Sequence, residues 1–339
     1  MSYAVTNDGI ELPVLDVTHP AFSCELGERE QATILSRFLD EQRRFARLPR
    51  WLRALLARFS LRGSRIARGL RRAEHGYLDG MTTYLFKLGP RNLGSYAVPV
   101  DRKILRTLPA ISVRLRAADM ARLLADGSAP RLTADASRPL YLLNIAGGPA
   151  SDSLNALILL RREQRRLLET RRITLHVLDR DLDGPAFGSR ALAALQEAAA
   201  PLHGLSVRFE HSPYDWRDPS GLADALGSAS ASGAVVAVSS EGGLFEYGTD
   251  HDIVQNLRLL GAGGDNGLFV VGSVTRDDEA VRTLKLTSTI ATKPRGLAAF
   301  SALVKAAGFG VTRSIARPFS DQVLLTPQAH DFGPTMPDS

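Results

Sequence analysis

Leu140-Tyr141-Leu142-Leu143-Asn144-Ile145-Ala146-Gly147-Gly148-Pro149-Ala150-Ser151-Asp152-Ser153 is the stretch on which the fold turns. An apolar run of strand length, broken only by Asn144, gives way at once to small residues. A helical pattern then runs from Leu154 to about Glu169. Continuous rather than alternating hydrophobicity marks a strand buried on both faces. Strand, tight small-residue turn and helix together bring backbone N–H groups and a helix N-terminus close to a ligand.

The same rhythm continues downstream. Strands are predicted at Ile173–Leu178, Leu205–Glu210, Ala234–Val238, Leu268–Gly272, Val311–Ala316 and Gln322–Thr326, with helical patterns between most of them. Such alternation belongs to the α/β class, a largely parallel sheet with helices on both faces. Asp179 closes the second strand, with Asp181 and Asp183 just beyond, and a carboxylate there is placed to accept both hydroxyls of a ribose. A dinucleotide fingerprint would need three glycines and an acid roughly 20 residues on. This turn has only Gly147 and Gly148, then Pro149, and Asp179 lies well past that distance. No Gly-Lys-Ser/Thr phosphate loop is present.

Upstream the chain reads differently. Helices are predicted over Glu28–Ala46, Pro49–Ser60, Ser64–His75, Met81–Leu88 and Ala117–Ala125, with an irregular stretch between Leu88 and Ala117. Asp126-Gly127-Ser128-Ala129-Pro130 and Asp135-Ala136-Ser137-Arg138-Pro139 are loop signals. A boundary is therefore expected near residue 135, dividing an N-terminal helical cap (1–135) from an α/β domain (136–339). That agrees with the 339-residue length, about two domains. A 44% apolar and 23% charged composition excludes wholesale disorder. No apolar run approaches the roughly 20 residues that span a bilayer, and no charged-then-apolar leader opens the chain. Cys24 is the only cysteine, which excludes an intramolecular disulfide framework and a Cys-based zinc site and fits a cytoplasmic setting. The histidines do not cluster with acids, so no metal is expected. The net charge of +6 is concentrated between Arg43 and Arg72, either a phosphate-tracking face or the solvated side of an amphipathic helix.

From Leu140 to Thr326 the order and punctuation resemble the class I S-adenosylmethionine-dependent methyltransferases, whose Rossmann-like sheet has seven strands, the last antiparallel and inserted beside the fifth. The resemblance implies S-adenosylmethionine as cosubstrate. It also implies that Gly147 and Gly148 admit the methionine portion and that Asp179 holds the ribose. Asp215 and Trp216 would take the adenine, while Ser239, Ser240 and Glu241 line the reacting end. The segment from Gly76 to Tyr84 would suit a lid with hinge glycines. Tyr77, Tyr84, Phe245 and Tyr247 are candidates to stabilise a sulfonium through their ring faces, and Glu241 or His211 could serve as a general base.

Three activities follow as expectations. The first is methyl transfer to a small molecule of secondary metabolism. In the second, the cosubstrate's own α-amine closes a four-membered ring and expels methylthioadenosine, as in the azetidine-2-carboxylate synthases of this fold. Asn144 stands where the family usually carries an acid, and this substitution suits the neutral amine that such a SAM lyase needs. The third, nucleic-acid methylation, lacks its Asn/Asp-Pro-Pro-aromatic motif, since the segment after the fourth strand is Ser239-Ser240-Glu241-Gly242. Partners are accordingly expected to be a small molecule, or none beyond the cosubstrate, without nucleic acid or membrane; a homodimer stays open.

Overall fold

In a computed structural model, the structure describes residues 1–24, 26–49, 51–52, 63–73, 76–263, 267–288 and 290–328. Most of the expected helix Pro49–Ser60, with its arginines, lies outside these residues. A short antiparallel hairpin, β1 (Tyr3–Val5) and β2 (Glu11–Pro13), opens the chain. The main sheet follows: β3 (Leu140–Ile145), β4 (Ile173–Leu178), β5 (Val207–Ser212), β6 (Val235–Ser240), β7 (Phe269–Thr275), β8 (Phe309–Arg317) and β9 (Ser320–Pro327). Its spatial order is β5-β4-β3-β6-β7-β9-β8. β3 to β7 are parallel, and β9 runs antiparallel between β7 and β8. This is the seven-stranded class I methyltransferase arrangement expected from the sequence.

The pleat assigns alternate residues of β3 to opposite faces. Leu140 and Leu142 enter one core with the N-terminal helices, and Tyr141, Leu143 and Ile145 enter the other. Burial on both faces is why these strands read as unbroken apolar runs.

One loop expectation is corrected. Asp126–Pro130 is not a loop but the interior of a 27-residue helix, Leu108–Ala134. Pro130 removes a helical N–H, yet Gly127, Ser128, Ala129 and Leu132 are all buried. The helix packs beside the helix Ser151–Glu163 and over β6, β7 and β9. Gly127 lies against the ring of Phe269, and the Arg131 guanidinium sits 4.6 Å above that ring while Nη1 donates to the Gly127 carbonyl at 2.7 Å. Burying this stripe outweighs the lost backbone bond; local residue chemistry alone cannot report that. The irregular stretch before it resolves into a 3-10 turn, Gly94–Tyr96, and a short helix, Pro99–Ile104. Ser64 caps the helix Arg65–Arg72, its hydroxyl accepting from Ala67 N.

Helix propensity alone would make Gly127→Ala stabilising by about 1 kcal/mol. A Cβ there would stand 2.4 Å from Phe269 Cε2, and overpacking costs about 1–3 kcal/mol. Urea denaturation of Gly127→Ala should therefore show a lower midpoint at unchanged m-value; a raised midpoint would mean that Phe269 yields freely.

Candidate functional site

Strand order reverses at β3, which has β4 on one side and β6 on the other. In open α/β sheets ligands bind outside the carboxyl ends of the strands at such a switch point. A cavity of about 300 Å³ lies there. Its floor is Ala146 and Gly147 after β3, with Asp179 and Asp181 after β4 on one flank and Tyr214, Asp215 and Trp216 after β5 beyond them. Glu241, Gly242 and Gly243 after β6 form the other flank. The N-terminal part supplies the roof: Tyr77, Leu78, Asp79, Gly80, Thr83 and Lys87.

The glycine turn is tightly wound, with Ala146, Gly148 and Ala150 all at positive φ. Gly148 is enclosed by backbone: a Cβ on it would stand 2.7 Å from Gly80 Cα, and one on Gly184 would stand 2.8 Å from Gly148 Cα. Three glycines thus bring the roof, the turn and the helix Asp183–Gln196 into direct main-chain contact. Gly147 lines the cavity; Gly148 does not.

The two carboxylates expected to meet a ligand are in different states. Asp179 is half-buried, accepting from Gly148 N through Oδ2 at 2.8 Å and from Asp181 N through Oδ1 at 2.9 Å. Burial raises its pKa, opposed by these two bonds. Each oxygen retains a free lone pair. Asp215 is clamped by Arg217, with Arg180 at 3.6 Å, and the Arg217 bonds hold its pKa down to about 2. His211 contacts the Asp179 carbonyl through Nε2 at 3.0 Å, a contact in which that nitrogen must donate, and it is not among the lining residues.

Of the aromatic candidates, Tyr77 and Tyr247 meet at the cavity with Trp216. The Tyr77 ring stands edge-on to Trp216 at 5.2 Å and to Tyr247 at 5.1 Å. Tyr84 and Phe245 are placed elsewhere. Tyr84 donates to Pro13 O and accepts from Leu15 N, with its ring against Phe187. Phe245 packs on Phe300 and fills the space above Gly272. Both hold the core.

On the β6 flank the structure brings Glu241 together with two cations, Lys87 and Arg116, that the sequence reading had not singled out. Glu241, 4% exposed, is paired by Lys87 Nζ at 2.8 Å and Arg116 Nε at 3.3 Å. Arg116 also reaches Glu246 at 2.9 Å, whose Oε1 accepts from Ser273. Burial would raise the Glu241 pKa, but the two cations overcome it and hold the carboxyl below its usual range. It is a fixed anion rather than a base. Asn144 is fully buried and donates through Nδ2 to Asp152 Oδ1 at 2.7 Å, Ser239 Oγ at 2.9 Å and Ser153 Oγ at 3.3 Å. Ser240 Oγ accepts from Leu244 N. Burial pushes the Asp152 carboxyl up. Asn144, Ser239 and Ser240 therefore lie one layer beneath the cavity lining. Lys87 and Arg116 left no local signal, because Lys87 is the lone cation of its helix, Arg116 is one of four arginines in its own, and the carboxylate each meets is far away in sequence. Among the described residues no cluster of metal-binding side chains occurs, and no helix is long and apolar enough to cross a membrane.

No family model matches the chain, and no curated protein matches it either. Among solved structures it is similar to a possible exported protein from Bordetella parapertussis, at 17% identity and TM-score 0.58, over 90% of this chain and 100% of that one. Looser likenesses include the mitomycin 7-O-methyltransferase MmcR (16% identity, 90% and 74% coverage, TM-score 0.39) and LepI complexed with S-adenosylmethionine (16%, 88% and 86%, 0.38). The first likeness speaks to architecture alone; the other two carry no weight.

Removing a buried cation strands its carboxylate. Lys87→Met should cost about 3 kcal/mol of stability in urea denaturation, while Lys87→Met combined with Glu241→Gln should recover more than half of that loss. Strict additivity of the two changes would show that the pair is not coupled.

Proposed function

We propose that this chain is an S-adenosylmethionine-dependent methyltransferase of small molecules, with the switch-point cavity as the cosubstrate site. The observation that carries this reading is the convergence of the Gly147 turn, the Asp179 carboxylate and the Tyr77–Trp216–Tyr247 rings on one cavity at the strand reversal. The residues fit the group. Asp179 has one unused lone pair on each oxygen for a pair of vicinal hydroxyls, and its ionised form, disfavoured by burial, gains from every donor that reaches it. The aromatic rings offer faces to an adenine or to a positive centre. Asp215, held by Arg217, would act on a base edge only by sharing that guanidinium.

When bound, the cosubstrate supplies a methyl group on a positively charged sulfur, already activated for transfer. What remains for the protein is alignment and exclusion of water. Thr83, Tyr77 and Leu78 roof the cavity. The fixed anion Glu241, balanced by Lys87 and Arg116, sets the field at the reacting end without taking a proton. Proton removal from the acceptor is therefore assigned to neither Glu241 nor His211. Ring closure to azetidine-2-carboxylate rested on Asn144. Its NH2 group is engaged by Asp152, Ser153 and Ser239 and the side chain does not line the cavity, although its Oδ1, turned toward Gly147, has no hydrogen-bond partner. Methyl transfer is the better-supported reading.

Two charge-assisted bonds at about 1.5–3 kcal/mol each lead us to expect Asp179→Ala to weaken S-adenosylmethionine binding at least tenfold by calorimetry, with the fold intact by circular dichroism. An unaltered isotherm would remove Asp179 from the site. Incubation with S-adenosylmethionine alone should leave it intact; accumulation of methylthioadenosine would reinstate ring closure.

A further inference from the structure

Behind the cosubstrate cavity, on the other side of Lys87, lie two further cavities of about 440 and 520 Å³. They share Phe22, Ser23, Cys24 and Arg114, and Lys87 lines both the inner of the two and the cosubstrate cavity. Every other cation of the inner cavity is already matched. Arg317 forms a two-pronged pair with Asp119 at 2.7 and 2.9 Å, and Lys87 is taken by Glu241. Arg114 is not. Its Nε is buried without a hydrogen-bond partner, and among the described residues its polar contact is the Cys24 thiol.

The placement is built. Arg114 and Arg116 are two residues apart on one helix, so their side chains leave it in nearly opposite directions. Arg116 serves the cosubstrate side and Arg114 the rear cavities. Gly89, at φ +76, lets the Arg114 guanidinium lie against the backbone; a Cβ there would stand 2.5 Å from Nη1. A buried donor without a partner, as at Arg114 Nε, is costly to leave unmatched, and the planar guanidinium fork fits a carboxylate. Beside Arg114 the wall is mixed: Leu15, Val17, Leu26 and Leu115 supply an apolar side, and the Asp119–Arg317 pair a polar but mutually neutralised one.

We infer that Arg114 anchors the carboxylate of the methyl acceptor, an organic acid whose apolar body lies in the inner cavity and extends toward Lys87. This deepens the methyltransferase reading and, as to the acceptor, rests on it. In the inner cavity, where Lys87 and Arg317 are already paired, Arg114 offers a single positive charge, which favours a carboxylate over a phosphoryl dianion; Arg91 and Arg106 line only the outer cavity.

Benzoate and 1-naphthoate, their uncharged amides, and phenyl phosphate serve as probes, read by thermal shift and by the rate at which iodoacetamide alkylates Cys24, the chain's only cysteine. We expect the acids to bind at least tenfold more tightly than the amides and to slow alkylation. Arg114→Gln should abolish that preference, and Arg114→Lys, which keeps the charge but loses the fork, should weaken it about tenfold. S-adenosylmethionine affinity should be unchanged in both variants, which also reports that they fold. Equal responses to acids and amides, or full acid binding by Arg114→Gln, overturn the proposal; tighter binding of phenyl phosphate overturns the carboxylate assignment. Acid binding at Arg114 without S-adenosylmethionine binding would leave the anion site standing and remove the methyltransferase reading, so the two failures are distinct.

Discussion

A carboxylate sealed from water keeps its charge only if cations are sealed in with it. Glu241 is in that position at the end of β6, and both of its cations come from the N-terminal part of the chain: Lys87 from the helix Gly80–Leu88 and Arg116 from the helix Leu108–Ala134. The sheet end and the roof therefore depend on one another. Without the roof helices Glu241 would be stranded, and without Glu241 the two cations would be. The Gly80–Gly148–Gly184 contact makes the same union in uncharged form, main chain on main chain.

Around that union the site separates charge into different working states. Asp179 is held by two backbone N–H groups in a setting that disfavours its ionised form, so it has most to gain from further donors. Asp215 is already satisfied by Arg217. Glu241 is a permanent anion whose field is balanced by its neighbours. Three acids that look alike on paper thus differ in what they can do, and each difference follows from burial and from which donors lie within reach.

The α/β half was legible because its signal is local. Strands buried on both faces must be apolar throughout, and the small-residue turn after Ile145 announces itself by composition. The long helix was legible only in part: Gly127 and Pro130 are breakers by local rules, and only the ring of Phe269, far away in sequence, explains why the helix continues through them. Aromatic residues divided the same way. Tyr77, Tyr84, Phe245 and Tyr247 are equivalent as letters, and tertiary packing alone sends Tyr84 to the backbone of Pro13 and Leu15 and brings Tyr77 beside Trp216. Lys87, Arg114 and Arg116 could not be singled out among so many cations, since what distinguishes them is the distant group each one faces or lacks.

Tyr77 differs from its two aromatic neighbours in one respect: it is 47% exposed, while Trp216 and Tyr247 are each 8% exposed. With main-chain contact closing the glycine side of the chamber, its phenol stands at the threshold between bulk water and the interior. Of the three rings it is therefore the one with water on one side, free to turn about χ1 as a fast side-chain event while Trp216 and Tyr247 stay packed. The chamber thus has one face, at Tyr77, whose wall is a single mobile side chain instead of packed main chain.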